Sequence, residues 1–240
     1  MFSLNTIRPM AKTLRVLAAL LGYPDAPMRG HLAEMRELLH AEHALSASRL
    51  DELDALIDAL RSADPLEAES DYVELFDRGR GTSLHLFEHV HGDSRERGPA
   101  MIDLGQTYEK AGLILTEGEL PDYLPAVLEF VSTQPVREAR AFLGEMAHIF
   151  NAIFGALQHR SSAYASVLGA LIELAGEKAQ PVKPAAEEPL DESWAEPVVF
   201  DGCSSKGQAK PGQPQPVHIV RKSHAMSSAT TVAAHQGASS

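Results

Sequence analysis

Apolar residues recur at intervals of three and four along nearly every ordered-looking stretch of this chain, which is the period of a helix and not of a strand. Leu50, Leu53, Leu56, Ile57 and Leu60 form one such stripe, with Ser48 placed to cap it. A longer stripe runs through Val136, Ala139, Phe142, Leu143, Met146, Ile149, Phe150, Ile153, Phe154 and Leu157, opened by Pro135. A third joins Tyr164, Val167, Leu168, Leu171, Ile172 and Ala175. Shorter helices are predicted at 13–21, 28–43, 65–77, 83–91, 99–111 and 121–132, and strand-like alternation is almost absent. The expectation is a single-domain, all-α bundle of about eight to ten helices over residues 1–176.

Beyond residue 176 the composition changes. Residues 177–240 carry seven of the chain's 15 prolines and few large apolar side chains. Such a segment buries too little surface to offset its chain entropy, so a mostly disordered tail is predicted. Leu190 to Phe200, LDESWAEPVVF, is an island that pairs aromatics with acids and is a candidate docking element.

Charge and cysteine content narrow the function. Residues 1–176 hold 15 Lys and Arg against 26 Asp and Glu, and from Asp51 to Asp77 ten acids face the single base Arg61. A surface of that sign repels phosphate backbones and attracts basic peptides, so nucleic acid is not an expected partner. The lone Cys203 permits no internal disulfide, which fits a reducing cytoplasm. The apolar run Val16–Leu21 is too short for a secretory leader despite Arg8, Lys12 and Arg15 ahead of it. No stretch reaches the roughly 18 apolar residues of a membrane span.

One segment looks like chemistry. In SLHLFEHVHGDSRERG, Ser83 to Gly98, the residues His85, Glu88 and His89 spell H-x-x-E-H, the inverted zinc-protease pattern, with His91 and Asp93 nearby as further ligands. On a helix the two histidines would stand one turn apart and share an ion. No later glutamate is marked as the third protein ligand, however, and the duller account has Leu84, Leu86, Phe87 and Val90 facing a core while His85, Glu88 and His89 face water. There is no G-x-S-x-G and no phosphate-binding glycine loop; Gly79-Arg80-Gly81 reads as a helix stop. The residues therefore argue against an enzyme, with a zinc-dependent hydrolase on His85, Glu88 and His89 as the rival and a generic acidic helical adaptor as a third alternative.

Two further patches are candidates for binding. Tyr72, Leu75 and Phe76 share a helix face that ends in Asp77 and Arg78. That face is either ordinary core or the wall of a groove beside an acidic rim. Glu119 and Asp122 flank Pro121 where a helix begins, a position where carboxylates cap free amides; the pair Pro121 and Pro125 also suits a shaped binding loop.

The segment Tyr72 to Leu104, YVELFDRGRGTSLHLFEHVHGDSRERGPAMIDL, together with ELPDYLPAVLEF and the island DESWAEPVVF, resembles the NarJ-type nitrate reductase assembly chaperones. These belong to the redox-enzyme maturation proteins that include TorD and DmsD. The resemblance spans about Leu14 to Phe200. Where that wider family carries Glu-x-Pro-Asp-His, this chain has Glu119-Leu120-Pro121-Asp122-Tyr123, so a role for histidine at the last place does not carry over. The resemblance implies a cytoplasmic chaperone without catalysis and without a cofactor or metal of its own. It implies as partners the apo catalytic (alpha) subunit of a respiratory nitrate reductase, met through its N-terminal segment, then the alpha-beta complex and the proteins of molybdenum cofactor biosynthesis. The chaperone would hold the enzyme open for cofactor insertion, prevent premature docking on the membrane subunit and leave when assembly is complete. The peptide-binding residues expected on this basis are Tyr72, Leu75, Phe76, Arg78, His85, Glu88, His89, His91, Glu119, Asp122 and Tyr123, with Arg95 and Arg97 paired to local acids.

Overall fold

The apolar stripes become eleven α-helices in the computed structural model, which describes residues 9–180 except 93 and 117. They are α1 (Ala11–Leu20), α2 (Ala26–Gly30), α3 (Leu32–Glu42), α4 (Ala47–Ser62), α5 (Pro65–Tyr72), α6 (Leu86–Val90), α7 (Arg97–Lys110), α8 (Leu124–Ser132), α9 (Val136–Glu145), α10 (Ala147–His159) and α11 (Ala165–Ala175). The island at 190–200, Cys203, Asp93 and all but the first four residues of the predicted tail lie outside the described residues.

Helix α11 is apolar on nearly every side, with Ser166 through Ile172 buried without a break, and a helix of that kind belongs at the centre of a bundle. It packs on α10, α9 and α4. The other large pairing sets α1 on α8, where Leu14, Leu17, Leu20, Val127, Leu128 and Val131 are all fully buried. Each such side chain removed from water contributes about 1.5–3 kcal/mol.

Helix ends are closed both locally and at long range. Asp25 accepts from Met28 N (2.9 Å), and Asp64 accepts from Leu66 N (2.9 Å) ahead of Pro65. Ser46, and not Ser48, caps α4, accepting from Arg49 N at 3.4 Å. Helix α1 has no side-chain cap of its own; Glu42, at the end of α3, instead accepts from Lys12 N (3.1 Å) and Thr13 N (2.6 Å). Likewise Glu173 of α11 accepts from the backbone and hydroxyl of Ser46 (2.6 and 3.0 Å).

Two predicted stripes are each broken into a pair of helices. The 28–43 stripe divides at His31, and the long 136–157 stripe divides at Met146 (φ −89°, ψ −2°), a bend that lets Leu143 and Phe150 both bury completely. The 65–77 stripe changes character instead. After Tyr72 it widens into a π turn, Val73–Asp77, closed by Arg78 N on the Val73 carbonyl at 3.3 Å. Tyr72 and Phe76, four positions apart and so on one face, have rings 4.8 Å apart and both are buried.

Gly79 then stops the helix, and a 3₁₀ turn, Arg80–Thr82, follows. A Cβ on Gly79 would overlap Thr82 Oγ1 and lie 3.0 Å from the Leu75 carbonyl oxygen, so the requirement for glycine is close approach and not an unusual φ.

Candidate functional site

The chain leaves the 3₁₀ turn extended, and this decides the fate of the H-x-x-E-H pattern. Leu84 to Leu86 runs antiparallel to Asp122 to Leu124: Leu86 N donates to the Asp122 carbonyl (3.0 Å) and Leu124 N to the Leu84 carbonyl (2.8 Å), around a His85–Tyr123 bridge. Helix α6 therefore begins at Leu86, later than the expected 83, and His85 (φ −87°, ψ 105°) is not helical. The one-turn spacing that would aim both histidines at one ion is absent. His85 Nδ1 faces Asp122 Oδ1 at 3.4 Å, while His89 Nε2 lies 2.8 Å from the Ser83 carbonyl. A carbonyl only accepts, so that nitrogen of His89 carries a proton and no free lone pair. Among the described residues no three His, Cys, Asp or Glu side chains converge as a metal site. Leu84 and Leu86 are buried as expected, but Val90 is half exposed, since the short helix ends before that face can reach the core.

Asp122 has a role that its position in sequence does not suggest. It neither caps α8, whose N-cap is Tyr123 with no side-chain bond, nor reaches solvent, being 0% exposed. Its Oδ2 accepts from Phe87 N at 3.1 Å, so it caps the neighbouring helix α6 across 35 residues of chain. Arg97 Nη2 lies 3.7 Å from that carboxylate and 3.5 Å from Glu88, bringing α7 into the same cluster; Arg95 is exposed. A buried carboxylate persists when charges and N–H donors surround it.

The hydrogen bond to Asp122, aided by the nearby charges of Asp122 and Glu88, raises the pKa of His85 above its ordinary value against the opposing effects of burial and Arg97. A raised folded-state pKa stabilises fully below about pH 6.5, the unfolded value, and the contribution disappears as pH rises through the folded value. Urea midpoints should therefore show the native chain gaining over His85→Gln in acid and losing that advantage above neutrality. Parallel profiles for the two proteins would refute the pairing.

Beside this cluster lies a cleft of about 460 Å³ between the π turn and the loop before α8. Tyr23, Tyr72, Phe76, Leu84, His85 and Tyr123 line it, and Asp77, Glu119 and Leu120 stand at its rim. Tyr72 donates to the Leu21 carbonyl (2.7 Å), which uses its only proton; at 3.3 Å the Tyr123 hydroxyl is then the donor to Tyr72. Burial pushes the Tyr72 hydroxyl well above its ordinary pKa and raises Tyr123 too, so both stay neutral donors at physiological pH. Tyr23 packs edge-on against Tyr72 (5.6 Å) and donates to Glu69 at 3.1 Å. Aromatic faces with carboxylates beyond them suit an apolar side chain next to a cation.

Of the residues expected from sequence, Tyr72, Phe76, His85, Glu119 and Tyr123 converge on this cleft. Tyr72 and Phe76 are core and cleft wall at once. Leu75, Glu88, His89 and Asp122 lie outside the lining; Arg78 is exposed and paired with Glu74 at 2.8 Å, and the His91 ring meets Phe87 at 5.4 Å. Sequence reasoning overlooked Tyr23, Asp77 and Leu120 as a group. An aromatic held extended before Pro24 was the available signal for the first.

Residues 25–169 match the protein family described as the nitrate reductase delta subunit. The chain is 41% identical over 198 residues, covering 82% of itself and 84% of the relative, to the nitrate reductase molybdenum cofactor assembly chaperone NarJ of Escherichia coli K12. It is 31% identical over 160 residues, covering 67% of itself and 86% of the relative, to the Bacillus subtilis protein named a probable chaperone of the same kind. A solved Archaeoglobus fulgidus protein, described as a redox enzyme maturation protein, shares the fold with a TM-score of 0.52 at 20% identity, over 70% of this chain and 94% of that one.

Proposed function

Because the chain belongs to the nitrate reductase delta subunit family, we propose that it is a dedicated assembly chaperone. It binds the apo catalytic subunit of a nitrate reductase, keeps it open for molybdenum cofactor insertion, delays its docking on the membrane subunit and departs from the finished enzyme. The observation that carries the binding half of this reading is the cleft of Tyr23, Tyr72, Phe76 and Tyr123 with Asp77 and Glu119 on its rim. Its occupant is the client's N-terminal segment, with an apolar side chain against the rings and a lysine or arginine toward the carboxylates.

The chaperone acts by binding and release, without turnover, and residues 1–176 are its binding domain. It acts in the cytoplasm, before the client reaches the membrane. No helix among the described residues is long and apolar enough to cross a membrane.

Calorimetric titration with the apo catalytic subunit tests this. The native chain binds it, and the Asp77→Asn, Glu119→Gln double variant binds about tenfold more weakly with a shallower dependence on salt. Full affinity in the double variant removes the acidic rim from the mechanism. No binding by the native chain removes the function.

A further inference from the structure

The π turn has a second side. Leu75, which the sequence groups with Tyr72 and Phe76, points away from the tyrosine cleft into another of about 350 Å³, where it meets Leu56, Leu60, Ala63 and Ala68 from α4, α5 and the connection between them. Tyr164, at the start of α11, completes the lining. Its ring is 5.1 Å from Phe76 and 6.2 Å from Tyr72, so one aromatic cluster backs both clefts.

The Tyr164 hydroxyl is shielded from solvent and has no hydrogen-bond partner among the described residues, although the residue is only 8% exposed. A buried hydroxyl without a partner is costly to a folded protein, and phenylalanine would fill the same space without that cost. Desolvation, with a further push from the negative charge of Asp71, raises its pKa and keeps it a neutral hydroxyl able to donate or accept.

The rim is acidic. Asp71 and Glu74 border the cleft, within the stretch from Asp51 to Asp77 that holds ten acids and one base. Arg160 closes one end, donating to the Glu74 carbonyl at 3.5 Å.

We propose that the cleft between α4, the π turn and Tyr164 is a second docking site, separate from the tyrosine cleft, for a cationic apolar segment of the client protein. An aliphatic or aromatic side chain fills the leucine- and alanine-lined floor, a neighbouring lysine or arginine meets Asp71 and Glu74, and a polar atom of the segment pairs with the Tyr164 hydroxyl. The inference rests on the assembly-chaperone reading, because the client is its occupant.

Site-specific photo-crosslinking of the full chain to purified apo catalytic subunit separates the two. A benzoylphenylalanine at Ala59, exposed on the border of the second cleft, should capture a client segment with Lys or Arg beside an apolar residue, and a different segment from the one captured by the same probe at Leu120 on the first cleft. Tyr164→Phe should lower the Ala59 yield about fivefold while thermal stability is unchanged or raised. Capture at Leu120 without capture at Ala59 overturns the second site and leaves the function standing; capture at neither overturns both. An acidic segment or a second copy of this chain at Ala59, or an undiminished yield with Tyr164→Phe, also overturns the second site.

Discussion

Replacing Asp122 with alanine should destabilise the protein by about 3 kcal/mol, because one partner of a buried charge cluster is removed and the others stay behind. The carboxylate is 0% exposed, accepts from Phe87 N at 3.1 Å, and lies 3.4 Å from His85 and 3.7 Å from Arg97. Without it the first turn of α6 loses its cap, and among the described residues the guanidinium of Arg97 keeps Glu88 alone, at 3.5 Å. For a folded part of this size the melting temperature should fall by about 6–12 °C. Asp122→Asn, which keeps an acceptor for Phe87 N and loses only the charge, should fall between native and alanine. Chemical denaturation of the three proteins checks the order. An alanine variant as stable as the native chain would mean that Asp122 contributes nothing net to the cluster and would refute its structural role.

Tyr108→Ala should have the larger effect, about 3–5 kcal/mol, and it should be concentrated in one helix. Among the described residues of α7, a helix of 14 residues, Tyr108 alone is buried. Its ring lies 4.9 Å from Phe130 of α8, and its hydroxyl donates to the Pro121 carbonyl at 2.8 Å. Removing that side chain opens a cavity and cuts the tie between α7 and the loop that shapes the tyrosine cleft. Amide hydrogen exchange should show Met101 to Lys110 losing protection while α11, wrapped by α4, α9 and α10, keeps it. Tyr108→Phe, which gives up only the hydrogen bond, should cost about 1 kcal/mol. Uniform loss of protection across both helices would show that α7 unfolds only with the whole domain.

The same cluster connects stability to the proposed binding. Asp122 fixes the strand-like pairing that places His85 and Tyr123 on the cleft wall, and Tyr108 holds the carbonyl of Pro121 just before it. Asp122 thus acts through the residues that it positions, whereas Glu119, three residues earlier and exposed, is free to meet a partner.

The helical class and the stripes that became α4, α10 and α11 were legible in the sequence, and the family resemblance grouped Tyr72, Tyr123 and Glu119, but not Tyr23. Helical period and turn residues are local properties that a short window of residues encodes. Tertiary contacts decided the rest. The π turn after Tyr72 has no signature in VELFD; it stands where Tyr72 and Phe76 pack against Tyr164, which lies far along the chain. H-x-x-E-H looked like a metal site because a one-turn spacing presumes a helix, and backbone pairing with Asp122 and Leu124 holds His85 extended instead. Asp122 sits where a cap for α8 belongs, yet caps α6, since in the folded chain the free amide of Phe87 is the donor that meets it. The sequence by itself determined the helical class and the apolar stripes of the long helices; only the packing of those stripes set the π turn, held His85 extended and chose the partners of the buried polar groups, because such groups take whichever donor or acceptor the assembled core brings within reach.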